Sequence, residues 1–258
     1  MPFHLLGDDP GTDFVNLLRQ NGLDPFPPAL PGTIDAGHAT TVLALRFSGG
    51  VVVAGDRRAT SGHLISHRDV HKVFAADEYS AVAIAGAAGP AIQMVRVFQL
   101  QLEYYEKIEG KPLTLEGKAN QLAEMLRGHL PQAMQGLAVV PIFAGFDPAH
   151  EAGRLFQFDV TGGRYEEQDF ATSGSGSLHA GTVVKLGDSR GRSESEALFL
   201  AVKALWHAAD EDSATGGPDP IRGIYPVLAV IDGEGFRQLS DEESGAVFAD
   251  FRHELTEG

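Results

Sequence analysis

Apolar residues run almost unbroken from position 41 to 54, as Val42-Leu43-Ala44-Leu45 and then Val51-Val52-Val53-Ala54, parted by Ser48-Gly49-Gly50. Two such runs joined by a glycine turn predict a β-hairpin, and further strand signals rich in Val and Ile lie at 70–75 and 80–85. The period then lengthens. Residues 91–108 bring Ile92, Val95, Leu102 and Tyr105 to one side, and residues 114–137 do the same with Leu115, Leu122, Met125, Leu126 and Met134, so two long helices are expected, the second kinked at Pro131. Strands return at 139–144, 155–160 and 165–172, with Thr161-Gly162-Gly163 as the turn between the last two. Helices follow at 178–185 and 193–209. The second opens with Ser193 and Glu196 at capping-box spacing and carries a stripe of Leu198, Ala201, Val202, Leu205 and Ala209, which suits a core face or a subunit contact; Trp206 reads the same way. A strand at 226–231, the turn Asp232-Gly233 and a helix at 241–254 complete the pattern. Strands, two helices, strands and helices again predict sheets covered by segregated helical layers, because a doubly wound fold would alternate strand and helix throughout.

Before residue 40 the pattern fades. Pro25-Phe26-Pro27-Pro28, Pro31-Gly32 and scattered aspartates surround a single short amphipathic stretch at 14–18, which predicts a weakly structured leader over 1–39 ahead of one folded domain over 40–258. The first ten residues hold acids in place of the basic start of an export signal, and no apolar run approaches the roughly 20 residues of a bilayer span, so the expected location is the cytoplasm.

Charge narrows the partners. A net charge of -15 argues against nucleic acid or an anionic membrane as the main one, since both are held largely by Lys and Arg. The absence of cysteine excludes disulfides, thiolate metal sites and a cysteine nucleophile. His63, His67 and His71 are spaced by four, as metal ligands on a helix would be, but Gly62, Ser66 and Arg68 between them do not read as helical. The stretch 212–219 has the look of a calcium loop without its closing glutamate, and Gly174-Ser175-Gly176-Ser177 lacks the Lys-Ser/Thr ending of a phosphate-binding loop. No metal or organic cofactor is expected.

The residue that stands out is Thr40, at the junction of leader and first strand in Gly37-His38-Ala39-Thr40-Thr41. If the bond between Ala39 and Thr40 were cut, one residue would carry both a hydroxyl nucleophile and a free α-amine to serve as its base. Lys72, among apolar neighbours in His71-Lys72-Val73-Phe74, needs a partner if buried, and Asp56 at the end of the second strand is available.

Thr40-Thr41 opening a strand, Gly55-Asp56-Arg57-Arg58, Lys72-Val73, Ile84-Ala85-Gly86, Gly174-Ser175-Gly176-Ser177 and Asp212-Ser213-Ala214-Thr215-Gly216-Gly217 together resemble the proteasome β subunits of actinobacteria over residues 37–240. The resemblance implies an α+β fold, a four-layer αββα sandwich of two antiparallel sheets covered by helices, shared by the N-terminal nucleophile hydrolases. It implies a threonine-type endopeptidase with Thr40 as nucleophile after self-cleavage of a 1–39 propeptide. Lys72 then tunes the hydroxyl, Asp56 partners Lys72, Ser175 and Asp212 support the amine, and the Gly86 N–H serves the oxyanion. It further implies that Thr60 and Ala88 pair with an extended substrate, and that Ala59, Val70, Phe74, Ile84 and Ala88 wall the pocket for the residue before the cut. Thr215 keeps a hydroxyl where some relatives have serine. Ala39 departs from the glycine usual before the nucleophile, where a tight turn favours glycine, but alanine is small enough that cleavage is still expected.

The implied partners are proteasome α subunits and other β subunits, in seven-membered rings stacked as an α7β7β7α7 cylinder, with an ATP-dependent unfoldase delivering substrates. Two rival functions share the fold: an amidohydrolase acting on a small amide, and a non-catalytic structural β subunit. Retention of Thr40, Asp56 and Lys72 weighs against the structural subunit, and the segment 212–217 against the amidohydrolase.

Overall fold

The computed structural model describes residues 40–187 and 191–257, so the predicted leader and Ala39 lie outside the described residues. Twelve strands and five helices are described. One sheet is built from β1 (Thr41–Phe47), β2 (Gly50–Gly55), β10 (Phe170–Gly174), β11 (Val227–Asp232) and β12 (Gly235–Gln238), in the order β10-β1-β2-β11-β12. The other runs in sequence order through β5 (Val73–Asp77), β6 (Ser80–Ala83), β7 (Ile142–Asp147), β8 (Ala152–Phe158) and β9 (Arg164–Glu167). A separate hairpin joins β3 (Ala59–Ser61) to β4 (Leu64–His67), and every strand pairing is antiparallel.

The central strands lack polar alternation because both their faces are buried. Along β1, Val42 and Ala44 turn inward and meet Val73, Ala83, Ile142 and Leu155 of the opposite sheet. Leu43 and Leu45 turn outward, into a cluster with Ala201, Leu205 and Phe251 from α4 (Glu194–Glu211) and α5 (Asp241–Glu257) and Val184 from α3 (Ser177–Leu186). On the outer face of the second sheet, Val82, Phe143 and Phe156 pack under α1 (Ala88–Glu109) and α2 (Leu115–Ala133) through Phe98, Leu122 and Leu126. The result is helices, sheet, sheet, helices: the four-layer αββα sandwich. Each fully buried Leu or Phe in these layers contributes about 1.5–3 kcal/mol.

Local signals set several boundaries. The Ser193 hydroxyl accepts the Glu196 N–H while the Glu196 carboxylate accepts the Ser193 N–H, the capping box expected at the start of α4. Ser240 and Glu243 repeat it at the start of α5. Pro131 falls in the last turn of α2, which stops two residues later, so the proline marks the helix end. The stretch expected as one strand over 165–172 is two: β9 pairs with β8, and after Gln168-Asp169 the chain crosses to the other sheet, where β10 pairs with β1. That crossing brings Gly174 and Ser175 beside Thr40.

Candidate active site

Thr40 is the first described residue, directly ahead of β1, and it is buried. Its carbonyl oxygen accepts the Ser175 N–H at 2.9 Å. The approach depends on Gly174, whose φ of 101° lies in the left-handed region and where a methyl group would collide with the Thr40 carbonyl.

Asp56, one residue past β2, has no exposed surface. Its carboxylate is nonetheless fully engaged: Oδ1 accepts the Thr41 N–H at 2.8 Å and Lys72 Nζ at 2.6 Å, and Oδ2 accepts the N–H groups of Arg58 at 2.9 Å and Gly216 at 2.8 Å. Lys72 Nζ also donates to the Arg58 carbonyl at 2.5 Å. A buried ion pair is tolerable when its remaining hydrogen-bonding capacity is met in this way. Burial pushes the Lys72 ammonium below the ordinary lysine range, and the adjacent Asp56 carboxylate pulls it back up. Of three ammonium donors, the two described bonds use two, which leaves one without an acceptor among the described residues.

Lys72 lines a cavity with Thr40 and Gly86, and Ala59, Val70, Ile84 and Ala88 supply its apolar wall. The Gly86 N–H has no backbone partner among the described residues, for a topological reason. Gly86 bridges Val139, but the bonds of that bridge run from its neighbours, Ala87 N–H to the Ala138 carbonyl and Val140 N–H to the Ala85 carbonyl. Gly86 sits at φ 97°, and a methyl there would strike the Ala138 carbonyl. If this cavity hydrolyses peptides, as the sequence resemblance implies, Gly86→Ala is expected to move this segment and lower the turnover rate by about 10²-fold, the scale of a 1 Å misplacement. Peptide hydrolysis by the purified variant, with its melting temperature as a control for folding, checks this.

Ser175 and Asp212 are in direct contact. The Ser175 hydroxyl donates to Asp212 Oδ2, which also accepts the Thr215 hydroxyl at 2.6 Å, and Oδ1 accepts the Ala214 N–H at 3.2 Å. Partial burial raises the Asp212 carboxyl, but the hydrogen bonds from Ser175, Thr215 and Ala214 outweigh it and hold the group below the usual aspartate range. It is an anion at neutral pH.

Comparison with known sequences shows the family. The sequence model described as proteasome subunit matches residues 36–221. The chain belongs to the proteasome subunit family. It is 57% identical over 235 residues to the proteasome subunit beta of Acidimicrobium ferrooxidans, covering 90% of this chain and 86% of that one. It is 53% identical to the proteasome subunit beta of Streptomyces griseus over 92% of this chain and 87% of the relative, and 52% identical to that of Jonesia denitrificans over 91% and 79%. The actinobacterial resemblance read from six motifs is thus matched across most of the chain, and the four-layer sandwich is consistent with the N-terminal nucleophile hydrolase fold of the proteasome family.

Not every residue singled out in this proteasome subunit meets the cavity. Phe74 is half-buried against the cluster under α1 and α2, and Thr60 is buried in β3, paired with Ile65 of β4. His63 lies in the turn of that hairpin and His67 at the end of β4, so the helical alignment needed for a histidine metal face is not formed, and no group of three metal-ligating side chains is found among the described residues. No described helix is long and apolar enough to cross a membrane. Sequence reasoning missed the backbone groups of Arg58 and Gly216 that hold Asp56 and Lys72. The motifs contain both residues, but nothing in their side chains announces a main-chain role.

Proposed function

We propose that this chain is a threonine-type endopeptidase of a proteasome core particle, active once the bond between Ala39 and Thr40 is cut. What supports the reading best is one juxtaposition: Thr40, Lys72 and Gly86 line a single cavity, and a fully buried Asp56 secures Lys72 there.

The chemistry follows from those groups. The α-amine of mature Thr40, with a reference pKa of about 7.7–8.0, accepts the hydroxyl proton as Thr40 Oγ1 attacks the substrate carbonyl. The nearby Lys72 ammonium favours the developing alkoxide, and the Gly86 N–H stabilises the oxyanion. Collapse of the tetrahedral species breaks the peptide C–N bond. The leaving amine takes the proton held by the Thr40 ammonium, which leaves an ester on Oγ1. Water then attacks that ester, giving its proton to the amine, and the acid product departs as Oγ1 is reprotonated. In this reading the Asp212 carboxylate, bonded to Ser175, steadies the amine.

The relatives are named as proteasome β subunits, and on that basis we propose that the chain assembles with further β copies and with α subunits as α7β7β7α7, and receives unfolded substrates from an ATP-driven ring. The wall of Ala59, Val70, Ile84 and Ala88 suits an apolar or mixed side chain before the cut. Intact mass of the purified, peptide-hydrolysing complex tests the proposal: the expected mature chain begins at Thr40, and full activity from a chain that begins elsewhere overturns it.

A further inference from the structure

Thr41, the residue after the proposed nucleophile, has every polar group it owns bonded to a different segment. Its N–H donates to Asp56 Oδ1 at 2.8 Å, and its carbonyl accepts the Asp56 N–H at 3.0 Å. Its hydroxyl oxygen accepts the Gly176 N–H at 3.0 Å and lies 2.6 Å from Thr215 Oγ1. Thr41 and Thr215 are both wholly buried.

Donor counting fixes the direction of this line. A threonine hydroxyl has one proton, and Thr215 gives its own to Asp212 Oδ2. The Thr41 hydroxyl must therefore donate to Thr215. The bonds run one way, from the Gly176 N–H through Thr41 and Thr215 to the Asp212 carboxylate, which the Ser175 hydroxyl also contacts. Gly176 makes the first bond possible, since a methyl there would collide with Thr41 Oγ1 and stand 2.8 Å from Thr215 Oγ1.

A buried threonine that merely fills space needs one local partner for its hydroxyl. Thr41 instead joins the two charged halves of the site: its backbone is tied to the Asp56–Lys72 pair, and its hydroxyl, through Thr215, to the Ser175–Asp212 pair. Thr40, one peptide bond away, inherits its position from both. We propose that Thr41 is a positioning residue whose hydroxyl sets the distance between the Lys72 side of the site and the Ser175–Asp212 side, and so aligns the hydroxyl and amine of Thr40. This rests on Thr40 being the nucleophile.

The test compares Thr41→Val, which keeps the shape and removes the hydroxyl, with Thr41→Ser, which keeps the hydroxyl and removes the methyl. Thr215→Val breaks the same line at its next member. Activity on a short peptide is normalised to the fraction of chains that begin at Thr40 by intact mass, and melting temperature is recorded for each variant. Expected is a fall in kcat of about 10²-fold in Thr41→Val with KM unchanged, the scale of a misaligned reacting group. Thr41→Ser restores most of kcat, Thr215→Val matches Thr41→Val, and the double variant is no worse than either single one.

Thr41→Val with parental kcat per processed chain, beside an inactive Thr40→Ala, overturns the positioning role and leaves the nucleophile assignment standing. Equal losses in Thr41→Ser and Thr41→Val also overturn it, by showing that packing of the methyl is what counts. Parental turnover in Thr40→Ala sinks the assignment beneath and this inference with it. Should Thr41→Val fail to fold, Thr215→Val decides by the same criteria.

Discussion

Thr40→Ala is expected to lower peptide hydrolysis by roughly 10⁶-fold, the scale for deleting the nucleophile of an acyl-enzyme hydrolase. Its leader should stay attached. Both effects follow from one missing atom, because the hydroxyl that would attack substrates is also the one proposed to attack the carbonyl of Ala39. The fold should be unaffected, since the bond between the Thr40 carbonyl and the Ser175 N–H belongs to the backbone and survives the substitution. Intact mass, melting temperature and turnover of a fluorogenic peptide check the three parts. A Thr40→Ala chain that loses residues 1–39 at the parental rate would remove self-cleavage from the account, and one that hydrolyses peptides would remove the nucleophile.

Asp56→Asn is expected to fail in a different way, through stability and chemistry together. An amide at this position keeps one acceptor oxygen where the carboxylate has two serving four donors, so either Lys72 and the Thr41 N–H or the Arg58 and Gly216 N–H groups lose their acceptor, and in both cases Lys72 loses its counter-charge. Removing one partner of a buried pair costs about 3–5 kcal/mol. For a chain of this size that is a fall in melting temperature of about 6–20 °C. Turnover should be lost as well, because an unpaired Lys72 in an apolar setting gives up its proton and no longer favours the alkoxide. Adding Lys72→Met to Asp56→Asn separates the effects: the double variant removes the stranded charge and should regain much of the stability, yet remain inactive. Thermal unfolding that leaves Asp56→Asn at the parental midpoint would show that the pair is not structural.

How much of this was legible in the sequence depended on whether the cue was local. The β1–β2 hairpin announced itself because both faces of its strands are buried, giving an apolar run with a glycine turn, and α4 announced its start through Ser193 and Glu196. The β3–β4 hairpin went unread because Leu64 and Ile65 are exposed and its pairing is bulged, leaving no alternating pattern. Strand β12 went unread because Phe236 is its one large apolar residue. The division between β9 and β10 is a change of pairing partner, which no property of residues 165–172 encodes. Within the site, the contact of Lys72 with Asp56 follows from the cost of burying a lone charge among apolar neighbours. The line through Thr41 and Thr215 could not be read that way. Two hydroxyls separated by 174 positions meet only through the tertiary fold, and neither residue's neighbours announce the other.

The carboxylate of Asp56 has a consequence for the history of such chains. It is at once the counter-ion of the ammonium beside the proposed nucleophile and the anchor for main-chain groups from three separate stretches. A lineage under no pressure to turn over substrate could discard Thr40 at little thermodynamic expense, but could not shed this aspartate without rebuilding the interior around it. Descendants that have stopped working should therefore lose the threonine first and keep the acid long afterwards, as a fossil of the activity.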